Sequence, residues 1–149
     1  MPFQSTKQWG HDIGLSCAFR QWRATHSHCQ YLHGYAIAVK LVFESELLDE
    51  RMWVIDFGGL ASIKKMLQDT FDHKLLVAED DPQHDEICAL AGLGIAEVIT
   101  VPAVGCEMFA KMVFDMVVQW LFDVRQIGRV KLVSCEVKEH GANSAVYTG

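Results

Sequence analysis

The feature that most constrains the fold is the run from about Cys106 to Arg125. Phe109, Met112, Val113, Met116, Val117, Trp120, Leu121 and Val124 recur at helical spacing, while Lys111, Asp115, Gln119 and Asp123 take the other side. Such a run is a helix with one apolar face, and that face must be covered. The cover is supplied by strands. In residues 34–44, Ile37, Val39, Leu41 and Phe43 alternate with Ala36, Ala38, Lys40 and Val42, which predicts the clearest strand. Residues 11–20, 51–56 and 129–139 read as further strands, and 95–102 as an extra one. Leu60, Ile63, Met66, Leu67 and Phe71 share one helical stripe and predict a helix over 59–71. Asp81-Pro82 is a helix-start signal, an N-cap aspartate followed by proline, for a short helix ending near Gly92 or Gly94. Strands, then helices, then a strand fit an α+β fold with helices on one face of an antiparallel sheet better than a Rossmann layout.

A chain of 149 residues with no repeat, linker or low-complexity stretch reads as one domain, 1–149. With 13 basic and 19 acidic side chains its net charge is -6, which argues against nucleic acid or an anionic membrane as partner. No apolar run reaches a membrane span, and the first residues hold no apolar signal core. Cys17, Cys29, Cys88, Cys106 and Cys135 are odd in number and scattered, without CxxC. They read as thiols in a reducing compartment, so a cytoplasmic location is expected.

Three places could carry chemistry. His26, His28, Cys29 and His33 lie within eight residues. Imidazole and thiolate suit zinc, and they equally suit a nucleophile–base pair or a merely polar loop. Asp72-His73 follows a helix; a carboxylate can fix an imidazole's tautomer, though adjacent side chains diverge on a regular helix, and a C-terminal cap explains the pair as well. Glu139 is in phase with Val133, Cys135 and Val137, so a carboxylate falls on an apolar face, where it needs a partner. Glu107, in the first turn of the long helix, is explained by the helix dipole alone. No GxxxxGK[ST], GxSxG or HExxH string and no dinucleotide fingerprint occurs.

Taken in order, several strings resemble the 6-pyruvoyltetrahydropterin synthase and 6-carboxytetrahydropterin synthase family. They are Cys29-Gln-Tyr-Leu-His33-Gly34, Trp53-Val-Ile-Asp56-Phe57-Gly58-x-Leu60, Phe71-Asp72-His73-x-Leu75-Leu76, Glu107-x-x-Ala110, and Val137-Lys138-Glu139 with Tyr147. Residues 79–103 are longer than in compact members of the family and read as an insertion. The resemblance implies a T-fold: a four-stranded antiparallel sheet with two helices on one face. Such chains assemble into barrels, commonly hexamers of two trimers, with active sites between subunits. It also implies a lyase acting on 7,8-dihydroneopterin triphosphate with loss of triphosphate. The product would be 6-carboxytetrahydropterin, on the route to deazapurine nucleosides such as queuosine, or 6-pyruvoyltetrahydropterin. Cys29, Asp72 and His73 would form the proton-transfer set. Glu107 and Glu139 would line the pterin pocket, which reassigns Glu107 from a dipole residue to a substrate residue.

The family's zinc is held by three histidines, one closing an Ala-Ala-His string and two from His-Gly-His. Here Cys17-Ala18-Phe19 and His33-Gly34-Tyr35 occupy those places, so only His33 remains. Zinc is therefore a doubtful cofactor. The expectation is a site in which Phe19, His33 and Tyr35 pack together. Its rival is a zinc site rebuilt on His26, His28 and His33. The lost ligands also motivate two alternative functions: a repurposed, non-catalytic pterin- or purine-binding protein, or a dihydroneopterin aldolase-like activity.

Overall fold

The computed structural model describes residues 1–149. Seven strands and three α-helices follow one another as β1 (Phe3–Trp9), β2 (Leu15–Phe19), β3 (His33–Ser45), α1 (Ala61–Phe71), β4 (Lys74–Ala78), α2 (His84–Gly92), β5 (Glu97–Val101), α3 (Cys106–Asp123), β6 (Lys131–His140) and β7 (Asn143–Tyr147). One sheet contains all the strands, in the order β5-β4-β2-β3-β6-β7, with β1 also on β3. Long β3 organises it. One edge pairs with β2 through His33–Ile37 and with β1 through Val39–Ser45, and the other edge carries β6. All these pairs are antiparallel, as is β6 with β7, whereas β4 lies parallel to β2 and β5 parallel to β4.

The α+β class stands, but the sheet is a mixed seven-stranded one rather than four-stranded and antiparallel. Helices α1 and α3 cover one face, where Leu15, Phe19, Ile37, Val39, Leu41, Phe43, Leu67, Phe71, Phe109, Val113 and Val137 form a single buried core. Alternation along β4 sends Leu76 to that core and Leu75 and Val77 to the opposite face. There Ile87 of α2 covers them, beside Ala18, Cys88 and Val98. Two helices therefore share one face as expected, and the third takes the other. No helix is long and apolar enough to cross a membrane.

Several local expectations are corrected. Residues 51–56 are not a strand: Asp49 Oδ1 accepts the N–H groups of Arg51 (2.8 Å) and Trp53 (3.0 Å), and Met52 turns to φ 66°, which closes a loop instead. Within 11–20 only Leu15–Phe19 is extended, because His11–Ile13 form a 3-10 turn. It is the second strand, preceded by the exposed β1. Residues 129–139 form not the last strand but the one before β7. Asp81 does not cap α2, which begins at His84 after Gln83. Its Oδ1 accepts the Gln83 N–H at 2.9 Å, one turn early, because its carboxylate is already held by Arg20. Val133 is not on the core face. A bulge at Val42/Phe43 shifts the β3–β6 register, so Leu132 is buried instead and the inward phase holds only from Cys135 onward.

Candidate active site

Glu139 ends the inward row begun by Cys135 and Val137 and sits at a second bulge, where the β6–β7 register slips between Lys138 and His140. It is half-buried and faces two hydroxyl-like groups. The Cys106 thiol at the start of α3 is pushed up to about 12, first by burial and then by the nearby Glu139 charge, so it stays protonated beside that carboxylate. The Tyr35 hydroxyl is raised by burial first and then by the nearby charges of Glu139 and Cys29. Glu107 is exposed in the first turn of α3, and its charge also reaches Cys106. The chain enters α3 through Gly105, at φ 111°, where a Cβ would collide with the Gln21 amide that donates to Val104 O at 2.8 Å. Only glycine fits this entry.

Beside Glu139 lies an aromatic cluster. The Phe19 ring centroid is 5.4 Å from that of His33 and 6.0 Å from that of Tyr35, and His33 and Tyr35 are 5.3 Å apart. Register brings them together: Phe19 pairs with His33, and Tyr35 lies two residues on along the same face of β3. His140 closes the cluster, 6.4 Å from Tyr35. The residues gathered here do not fit a zinc ion. Phe19 has no donor atom and the Tyr35 hydroxyl lies near the Glu139 charge, so of the three only His33, whose Nδ1 bonds the Tyr31 carbonyl at 2.7 Å, offers an imidazole. His26 and His28 are exposed on the loop, with the His28 ring against Tyr31 at 6.3 Å. No three His, Cys, Asp or Glu side chains converge as a ligand set.

Cys29 is exposed on a 3-10 turn, His28–Gln30. Ser27 Oγ accepts its N–H at 3.0 Å, and its carbonyl accepts the Gln21 N–H at 2.8 Å. Its charge is felt at Tyr35, so Cys29, Tyr35, Glu139, Cys106 and Glu107 share one neighbourhood.

Asp72 and His73 are elsewhere. Helix α1 stops at Phe71, Asp72 is extended, and His73 turns to φ 60°, so the neighbouring side chains meet: Asp72 Oδ1 lies 2.8 Å from His73 Nδ1. Regular helix would have kept them apart. Backbone bonds from Ser16 N to Asp72 Oδ1 (3.3 Å) and from His73 N to Ser16 O (2.6 Å) tie the pair to β2. His73 is 85% exposed and opens onto a hollow of about 450 Å³ lined by Ser16, Ala18, Leu32, Gly34 and Leu75. Ser16 and Ala18 alternate with Cys17 and Phe19, so this hollow and the aromatic cluster lie on opposite faces of the sheet.

Sequence reasoning missed Cys106 and His140, each one residue from a carboxylate it had identified. It also missed Arg20, a cation at the end of an apolar strand, where a partner is required.

The family model described as 6-pyruvoyl tetrahydropterin synthase matches residues 11–149. The 6-carboxy-5,6,7,8-tetrahydropterin synthase of Aquifex aeolicus (strain VF5) is 27% identical over 123 residues, covering 80% of this chain and 75% of that protein. The same-named protein of Rickettsia felis is 34% identical over 56 residues, 37% of this chain and 41% of that one. Among solved structures, an uncharacterized protein from Wolinella succinogenes superposes with a TM-score of 0.82 at 19% identity, over 99% of this chain and 98% of that one. The 6-pyruvoyl tetrahydropterin synthase of Plasmodium vivax gives a TM-score of 0.70 at 15% identity, over 99% and 97%. At these identities the structural likeness speaks for the fold.

Proposed function

The chain belongs to the 6-pyruvoyl tetrahydropterin synthase family, and on that premise we propose that it is a pterin-converting lyase acting on 7,8-dihydroneopterin triphosphate with loss of triphosphate. The observation that carries this reading is Glu139, an inward carboxylate at a strand end with Tyr35 and Cys106 as its neighbours. A carboxylate there accepts hydrogen bonds from the N–H edge of a pterin, and Glu107 at the mouth of the same neighbourhood adds a second acceptor. Cys29, as thiolate, removes a proton from the substrate side-chain carbon alpha to the ring imine. His73, its tautomer set by Asp72 at Nδ1, presents Nε2 to carry a proton to or from a side-chain oxygen.

We further propose 6-carboxytetrahydropterin as the product, formed when water adds and the two outer side-chain carbons leave as acetaldehyde beside triphosphate; it is a precursor of deazapurine nucleosides such as queuosine. The names of the curated relatives support this. The Tyr35–Glu139 neighbourhood, which Cys29 adjoins, and the Asp72–His73 pair lie on opposite sides of one sheet, which supports a homo-oligomer in which a second copy completes each site; a hexamer is the arrangement we propose. Five free thiols support a reducing, cytoplasmic setting.

Incubation of purified protein with the triphosphate substrate, read by triphosphate release and by mass spectrometry of the pterin, tests the reading. Release with a carboxypterin is expected. A pyruvoylpterin would move the product assignment, and no change in either readout removes the lyase. A second reading, pterin binding without turnover, is favoured by the aromatic filling at Phe19 and Tyr35. Tight binding unaffected by Cys29→Ala, with no turnover in either protein, would establish it instead.

A further inference from the structure

Residues 20–32 carry Cys29, yet hold almost no regular structure. What fixes them is a junction at the end of β2. Arg20 leaves the strand next to Phe19 and forks onto Asp81, with Nε to Oδ2 at 2.8 Å and Nη2 to Oδ1 at 2.6 Å. The Asp81 side chain is 1% exposed, and the Gln83 N–H adds a third bond to it. The remaining guanidinium nitrogen, Nη1, donates to the Gln30 carbonyl at 3.4 Å. The adjoining residue, Gln21, takes the Cys29 carbonyl on its own N–H.

We propose that Arg20 and Asp81 are positioning residues for Cys29: a buried carboxylate holds the guanidinium still, and the guanidinium holds the carbonyl one residue past the thiol. The proposal rests on the reading of Cys29 as the proton-abstracting group. The forked geometry matters because two parallel bonds fix the plane of the guanidinium as well as its place. A single-point cation would leave the Gln30 carbonyl free to swing. The Ser27 bond to the Cys29 N–H closes the turn on itself, while the Arg20 and Gln21 bonds tie that turn to the end of β2, and displacement by an ångström costs turnover rather than binding. The outer pair, Arg23 on Asp80 at 2.6 Å, is exposed on both sides and does not reach the Cys29 turn.

Two variants test this, Arg20→Lys and Asp81→Asn, each examined by hydrogen exchange and by steady-state kinetics. At short labelling times, when only local opening exchanges, peptides spanning residues 21–31 are expected to take up label about tenfold faster while the core strands stay unlabelled. Turnover should fall about 10- to 100-fold with KM within about threefold. In a Cys29→Ala background neither variant should lower residual turnover further. No faster labelling of residues 21–31 at those short times, or a loosened loop with kcat unchanged, overturns the positioning role. Exchange needs no substrate, so it decides whether Arg20 holds the loop even if the wild-type protein proves inactive. That last result would count against the proposed function instead.

Discussion

Glu139 is the proposed substrate residue that is simplest to test. It follows Cys135 and Val137 inward, and Tyr35 and Cys106 are its neighbours. Glu139→Gln keeps the shape and removes the charge. A charge-assisted bond to a pterin edge is worth about 1.5–3 kcal/mol, so affinity should drop roughly 10- to 150-fold by fluorescence titration. The melting temperature should move little; an unchanged Kd would take Glu139 out of the pocket. The metal position invites the opposite kind of test, a gain. Phe19, His33 and Tyr35 already converge, so Phe19→His with Tyr35→His would place three imidazoles where three rings now pack. Zinc needs about three protein ligands, and calorimetry should show about one zinc bound by the double variant and none by its parent. Phe19 is 1% exposed, so the swap should cost about 2 kcal/mol of stability. Stoichiometric zinc in the untreated parent would contradict the aromatic filling. Legibility failed at Asp72-His73 for a local reason: whether the two side chains meet depends on the helix stopping at Phe71 and on His73 at φ 60°, and no spacing rule announces a left-handed histidine.

Elements with strong periodicity were legible, and those made by context were not. The β3 alternation holds from Ile37 to Phe43, and the α3 stripe holds at Phe109, Val113, Val117 and Leu121, though Phe114 is buried beside it and Val124 is exposed past the helix end. β1 and β7 are short or polar edge strands whose only signal is a partner, β3 or β6, that lies far away in sequence. β4 is an unbroken apolar run, buried on both faces, without the alternation that marks a half-buried strand. Residues 51–56 show the converse: apolar content without a partner edge, bent by the Asp49 side chain. Asp81-Pro82 advertised a cap, yet its carboxylate closes a junction between the end of β2 and the entry to α2. Arg20 holds that carboxyl well below its usual range. A depressed folded value gives stability that is present above the ordinary value of 3.8 and is lost as pH falls through the lower folded value. Asp81→Asn should therefore cost about 2 kcal/mol near neutral pH. The gap between the two proteins' chemical-denaturation curves should close below that value. A gap that stays constant into acid would mean that the ion pair contributes nothing.

At the scale of the whole molecule, the sheet separates the groups that the proposed reaction needs together. Tyr35 and Glu139 belong to the face that α1 and α3 cover, with the Cys29 turn near Tyr35, while the Asp72–His73 pair opens onto the hollow beside Ala18 and Leu75. Nothing in the order of the motifs along the chain reveals this, because the opposition arises from the parity of β2: Ser16 and Ala18 point one way, Cys17 and Phe19 the other. In the proposed oligomer a histidine on the far side of the sheet from its own chain's pocket would meet the thiol of a neighbour, and closed symmetry would repeat that contact at every interface. The consequence can be measured without knowing the oligomer's size. Cys29→Ala and His73→Ala should each be inactive alone. If each site takes its thiol from one copy and its imidazole from another, mixing the two variants and allowing subunits to exchange produces some sites with both groups intact. At equal proportions, a site is whole when its thiol donor is a His73→Ala chain and its imidazole donor a Cys29→Ala chain, which happens about a quarter of the time for random assembly. Recovered activity near that fraction, appearing on the timescale of subunit exchange, is the expected result. If both groups act within one chain, every site in every mixture lacks one of them, and the mixture stays as inactive as its parts.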